Sequence, residues 1–513
     1  LNQGADGGFY GLSGAGFNPA DPLFGGVYIL TTKEGIVYEI DGKSGDLLTV
    51  KDTNGNTLTF TDGGIFSDTG KSVVFERDTQ GRVSKVIDPA GNAIEYGYTD
   101  RTVLDDVTGE VIATAGDLIA VTDRENNTTR LEYHDTRAHY LDEIIDPLGR
   151  SGIRSEYGED GRLSRILDVD GEEIELVYDP QNSIQTVKDA FGNPTVFEYD
   201  QRGNVVQEID AVGKITKRTF DKNNYIETET IITRESGPEG WTTTYTNDQF
   251  GNVLSQTDPQ GNTYCTTYQT FFGTYSRPLS AIDPLGNTTT FTYDNRGNTL
   301  SSTDANGHQI NYTYFSNGNL RSIIEAEDDK TEYEYNHFGQ LERMIDAEGN
   351  ERSFTYDANG NLKTQTATLT TPSEIRTLIT TIEFDREGRL LSVLDPENTL
   401  TQYQYDANGN QTVVIDAEGR RTEMRYNAKN QLIAQIYPDS TPDDLDDNPT
   451  ITTTYDKSGN QKSVTNINGQ ITSYQYEWNM GQISGIGTCQ YRRCQDGRCQ
   501  YNRRCQYNWE PNY

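Results

Sequence analysis

Residues 335–356 read YNHFGQLERMIDAEGNERSFTY, and the folding of this one stretch decides the fold of the chain. "NHFG" and "DAEG" are four-residue turns. Asn or Asp opens each because its side chain can bond the backbone two residues on. Gly, as at Gly339, closes each because the chain there turns to φ > 0. Between the turns lie "QLERMI" and "NERSFTY", each the length of a typical strand. Leu341 and Ile345 share a face of the first, Phe354 and Tyr356 a face of the second. Turns this short join antiparallel neighbours, so the unit is two strands of a meander.

The unit recurs along the chain. Tyr157, Tyr178, Tyr199 and Phe220 stand 21 residues apart, as do Tyr293, Tyr314, Tyr335 and Tyr356, then Phe384, Tyr405 and Tyr426, then Tyr455 and Tyr476. The Asp-opened turn keeps the same step at Asp189 and Asp210, Asp283 and Asp304, and Asp395 and Asp416. "YDANGN" appears letter for letter at 356–361 and 405–410: the end of a strand, its turn, and the first residue of the next strand. In this reading the Tyr supplies a buried row, and Gly297, Gly360 and Gly409 supply the φ > 0 corner. A fixed period of this size marks a repeat architecture. Residues 37–478 hold roughly 20 units, hence roughly 40 strands and a ribbon on the order of 200 Å wide. Twisted sheets that wide curl or close. The expected fold is therefore all-β, an antiparallel meander of 21-residue repeats in a single layer. It curls into a hollow spiral shell with its Tyr and Leu rows inward.

Composition narrows the function. Against 43 Lys+Arg stand 79 Asp+Glu, a formal charge of −36 that repels phosphate backbones and disfavours nucleic acid as a partner. Apolar residues make up only 33%, but 32 Tyr and 17 Phe fall at fixed spacings, which points to packing rather than disorder. No apolar run reaches the roughly 18 residues of a membrane-spanning helix. The chain opens at Leu1 without a basic-then-apolar leader, as a piece of a longer polypeptide would. Cys265 is the one cysteine through residue 488, so strand pairing rather than disulfides must hold the body together.

These words resemble the YD-repeat, or Rhs-repeat, family: "FEYDQRGNVVQEIDAVGK" (197–214), "FTYDNRGNTLSSTDANGH" (291–308), "FTYDANGNLKT" (354–364) and "YQYDANGNQTVVIDAEGR" (403–420). The resemblance extends over about 28–478. That family includes polymorphic toxins of contractile secretion systems, C components of insecticidal toxin complexes, wall-associated bacterial proteins and the teneurin adhesion receptors. It implies a spiralling β-cocoon that encloses a C-terminal toxin or its own tail. It also implies a secreted or cell-surface location and, as partners, upstream and downstream segments of the same polypeptide. Toxin members end the shell near "DPxGLxGG", where an Asp releases the cargo. "DPLGR" (146–150) and "DPLGN" (283–287) fit mid-shell turns instead, so no cleavage residue carries over.

Three segments follow: a Gly-rich linker or docking stretch at 1–27, the shell at 28–478, and a Cys/Arg-rich tail at 479–513 that breaks the rhythm, as a disordered or frameshifted end would. The phase slips at 233–241, 269–278, 367–377 and 438–450, where extra residues are expected in surface loops. No catalytic constellation emerges. His134, His139, His308 and His337 read as exposed loop histidines. The two "GKS" triplets (42–44 and 70–72) lack the first Gly of a phosphate loop, with Val37 and Ile65 in its place. The acidic stretches "DVDGEE" (168–173) and "DDLDDN" (443–448) offer Asp168, Asp170, Asp443, Asp444, Asp446 and Asp447 as calcium ligands, against a plain solvated-loop reading. No other cofactor is expected. The function expected is a non-catalytic shell that encapsulates or presents a C-terminal toxin or effector. The alternative is a cell-surface adhesion or carbohydrate-binding module with glycans as partners.

Overall fold

The computed structural model describes residues 26–104, 111–273, 275–325, 329–370, 374–439 and 448–476, with the short strands Asn2–Gln3, Phe9–Tyr10, Ile483–Gln490 and Cys505–Asn508. Two compact units divide the chain. One comprises Leu1–Ala93, Asp221–Glu227 and Thr243–Ile379; the other comprises Ile94–Phe220, Thr228–Thr242 and Thr380–Tyr513. Asp443, Asp444, Asp446 and Asp447 lie outside the described residues, as do most of the Gly-rich stretch and the tail.

No described residue is helical, and 40 strands run from Val27 to Tyr476. Along 27–87, 93–220, 241–370 and 375–476 each strand pairs antiparallel with the next in sequence. The word read first behaves as its residues dictate: Lys330–Tyr335, Leu341–Ile345 and Glu351–Tyr356 form consecutive strands with Glu332 opposite Ile345 and Arg343 opposite Ser353.

A single sheet layer leaves little to bury. Among the described apolar residues only Phe271, Tyr275, Val413 and Ile436 are buried, and the repeat tyrosines are half-buried apart from the exposed Tyr178. Most repeat tyrosines also mark a β-bulge; Tyr178, opposite Gln185 in unbroken register, does not. Tyr293 pairs with Thr299, Tyr314 with Leu320, Tyr335 with Leu341 and Tyr356 with Leu362, each just after a slip in register. One extra residue on the following strand bends that strand and tightens its twist. The bend is thus written into most repeats.

Two of the phase slips differ from expectation. Around 269–278 and 367–377 extra residues lengthen the flanking strands instead of standing in loops. Thr263–Phe271 and Tyr275–Ile282 have 9 and 8 residues, and Leu362–Thr370 and Ile375–Phe384 have 9 and 10, where repeat strands have 5 or 6. These segments are rich in Thr, Tyr and Ile, which favour continued pairing over a loop.

Candidate functional site

The turn is the chemical unit of this chain. In 357–361 the Gly360 N–H donates to the Asp357 carbonyl at 3.2 Å, and the Asp357 N–H to the Asn361 carbonyl at 3.0 Å. One carboxylate oxygen of Asp357 accepts the Asn361 main-chain N–H at 2.8 Å; the other accepts Asn361 Nδ2 at 2.9 Å. The same clamp closes 200–204, 258–262, 283–287 and 346–350. The Asn amide after the Gly is the leading cause holding Asp200, Asp258, Asp283 and Asp346 below the usual carboxylate range, and Asp200 falls to about 2. Arg takes the Asn position in other turns, where Arg82, Arg150, Arg389 and Arg420 pair with the opening Asp.

Gly297, Gly339, Gly360 and Gly409 have φ of 81°, 77°, 99° and 84°. Asn126, Asn224, Asn398 and Asn430 occupy the same corner at 66°, 68°, 63° and 60°, since Asn tolerates the left-handed region better than other side chains.

The tyrosine before the turn ties neighbouring strands together. Tyr356 Oη donates to the Leu341 carbonyl at 2.7 Å, Tyr405 Oη to Leu390 at 2.9 Å and Tyr426 Oη to Gln411 at 2.8 Å; Tyr293 Oη donates to the Pro278 carbonyl at 2.5 Å. Burial pushes these phenols, with Tyr314 and Tyr335, above their ordinary pKa.

A second contact set joins turns distant in sequence. In the first unit Asn54 and Asn298 exchange amide hydrogen bonds at 3.1 and 2.8 Å, and Asn56 Nδ2 donates to the Asn317 carbonyl at 3.0 Å. Asn359 Nδ2 donates to Asp88 Oδ2 at 2.9 Å while its Oδ1 accepts the Ala90 N–H at 3.0 Å. In the second unit Asn408 Nδ2 donates to Asp146 Oδ2 at 2.6 Å, and Arg150 Nη2 to Asn430 Oδ1 at 2.9 Å. Glu387 takes Arg124, and Glu125 takes the Arg386 N–H. Within each unit, then, an early row of turns lies against a late row, with partners 244 to 280 residues apart in these examples. We call this contact line the seam.

The long hairpin at 263–282 plugs the seam in the first unit. Tyr275 is only 4% exposed; its ring stacks on Phe271 at 5.4 Å, and its Oη donates to the Arg296 carbonyl at 3.0 Å. Arg277 lies 5.1 Å from the Tyr275 ring and donates to the Glu34 carbonyl at 2.9 Å.

The calcium candidates Asp168 and Asp170 belong to the seam as well. Lys429 Nζ sits between them at 2.6 and 3.1 Å, and Lys457 Nζ reaches Glu172 at 2.9 Å. Burial works against the Lys429 ammonium, yet hydrogen bonds to the two carboxylates hold its pKa above the ordinary lysine value. An ammonium thus stands where a cation bridging this pair would stand. Among the described residues no group of three or more His, Cys, Asp or Glu is arranged to hold a metal.

His308 Nδ1 lies 3.0 Å from Asp304 Oδ2, in the clamp position elsewhere held by Asn. His139 is less ordinary: its φ is 64° and its Nδ1 lies 2.6 Å from the buried Asp117. A shallow recess of about 390 Å³ opens beside the seam, with Asp294, Arg296, Asn298, Tyr312, Tyr314 and Phe315 in its lining.

Sequence reasoning found the Tyr, Asp and Gly positions but missed the seam residues. The signal was present in the third letter of the turn, Asn in "DTNGN", "DANGN" (357–361) and "DANGN" (406–410). The clamp does not use that side chain; the opposite row does.

Comparison with known proteins agrees with the repeat. The RHS Repeat family profile matches 277–314, 338–373, 384–421 and 405–442. No curated protein matches the sequence. Among solved structures, TcdB2-TccC3 without its hypervariable C-terminal region is similar at 12% identity and TM-score 0.47, over 90% of this chain and 34% of that one. TcdB2-TccC3-TEV is similar at 14% and 0.46, over 89% and 28%. The Photorhabdus luminescens Tc holotoxin pore is similar at 13% and 0.38, over 90% and 32%. The chain spans about a third of the length of these solved chains.

Proposed function

Because the chain carries RHS repeats, we propose that it is a wall: a non-catalytic shell segment that encloses part of a larger secreted polypeptide, such as a toxin or effector. The observation that carries this reading is the seam. A ribbon whose early turns bond its late turns has come back beside itself, and the bulge in most repeats supplies the bend that this needs. The seam joins turn to turn through side chains, so the sheet faces stay open to line an interior. The test is to fuse a small protease-sensitive guest after residue 476 and digest the purified fusion. Protection of the guest until the seam is melted is the expected result. Digestion at the rate of the free guest overturns the container.

A second reading rests on the recess. Rings of Tyr312, Tyr314 and Phe315 beside Asp294, Arg296 and Asn298 combine flat apolar faces with planar polar groups, as a sugar site does. A glycan array would show binding that Phe315→Ala, at an exposed ring of the recess, abolishes without changing the melting temperature. No binding by the parent protein removes this reading.

A further inference from the structure

Six Asn-Gly pairs occur in the chain, at Asn54, Asn306, Asn317, Asn359, Asn408 and Asn468, each at the third position of a turn whose following Gly has positive φ. Backbone geometry is therefore shared, and side-chain surroundings separate them. Asn359 and Asn408 each donate Nδ2 to a carboxylate across the seam, Asp88 at 2.9 Å and Asp146 at 2.6 Å. Asn54 faces another amide, Asn298. Asn306 and Asn468 lie exposed.

We propose that Asn359 and Asn408 are deamidation sites masked by the closed seam, and that their conversion after opening keeps the seam from closing again. The chemistry needs only water. The Gly360 nitrogen attacks Asn359 Cγ, a C–N bond forms, and the Cγ–Nδ2 bond breaks. Ammonia leaves, carrying the proton lost by the Gly360 nitrogen. Water then opens the succinimide at either carbonyl, giving aspartate or isoaspartate, so one water enters and one ammonia departs overall. Glycine favours the step because no side chain shields its nitrogen.

In the closed seam the reaction is blocked twice. Asn359 is held at both ends, by Asp88 and by the Ala90 N–H, and the Gly360 N–H is held by Asp357 Oδ1 at 2.8 Å. Once the seam opens, the first of these restraints is gone. The product is a carboxylate facing the Asp88 carboxylate at hydrogen-bond distance, so an attraction has become a like-charge repulsion. The same inversion holds for Asn408 against Asp146. Asn54 is the internal control, because an aspartate there can still accept from Asn298 Nδ2.

Peptide mass spectrometry of the intact chain incubated at mildly alkaline pH tests the masking. Asn306 and Asn468 should convert first, with Asn359 and Asn408 slower by roughly tenfold or more, the cost of breaking their paired hydrogen bonds. In urea the rates should converge. Equal rates in the folded protein overturn the proposal. Melting curves test the latch: Asn359→Asp should melt below the parent, while Asn54→Asp and Asn306→Asp should not. Adding Asp88→Asn to Asn359→Asp should restore the melting temperature, or restore folding if the single variant does not fold. An Asn359→Asp protein that melts like its parent, or a double variant with no recovery, overturns it.

Discussion

Arg124 and Glu387, 263 residues apart in sequence, form a three-point lock. Glu387 Oε1 accepts the Arg124 main-chain N–H at 2.6 Å, Oε2 accepts Nη2 at 3.1 Å, and the Glu387 carbonyl accepts the same Nη2 at 3.1 Å. The turns that meet here carry the same letters, Asp-Arg-Glu at 123–125 and 385–387, and Glu125 returns the contact by accepting the Arg386 N–H at 2.8 Å. With side chains only 23% and 21% exposed, this pair is shielded more than an ordinary surface ion pair. Glu387→Ala should destabilise the protein by about 1–3 kcal/mol, since a charged donor loses its acceptor. Urea unfolding measures it. A change within error would show that the seam does not contribute to stability.

Tyr275 is the deepest apolar anchor in the first unit, so Tyr275→Ala should cost about 3–5 kcal/mol. Tyr275→Phe removes only the bond to the Arg296 carbonyl and should cost about 0.5–1.5 kcal/mol. Thermal melts of both variants separate ring from hydroxyl.

Gly360 has φ of 99°, and a Cβ there would stand 3.0 Å from Gln340 Nε2 and 3.1 Å from Lys71 Nζ. Gly360→Val should destabilise by roughly 1–3 kcal/mol through backbone strain. Gly360→Asn should cost clearly less, because four turns of this chain already place Asn at that corner. Equal losses would mean that crowding, not the left-handed backbone, sets the requirement.

The clamp aspartates make stability depend on acid. The folded pKa values of Asp200, Asp258, Asp283 and Asp346 lie below the ordinary value, with Asp200 at about 2, so the stability they contribute is fully present above the unfolded pKa of 3.8. It is lost as pH falls from there toward about 2, the folded value of Asp200. Melting temperature should accordingly hold steady down to about pH 4 and drop steeply below it. Asn204→Ala should return the Asp200 titration, followed by NMR, toward the usual aspartate range.

Residue order along the chain was enough to determine the repeat, its two strands, the direction of pairing and the φ > 0 corners. Each of these depends on contacts within about 21 residues, where alternation, turn chemistry and Gly placement act locally. The bulge at most of the repeat tyrosines was not legible, because which residue slips out of register is settled by cross-strand packing. Nor was the fate of the insertions at 269–278 and 367–377, where pairing propensity prevailed over loop formation. The seam was hidden most completely. Asn359 looks the same in sequence as Asn306, yet one meets Asp88 and the other meets solvent. That difference depends on a contact between turns 271 residues apart, which no single repeat encodes, so only the tertiary structure decided it.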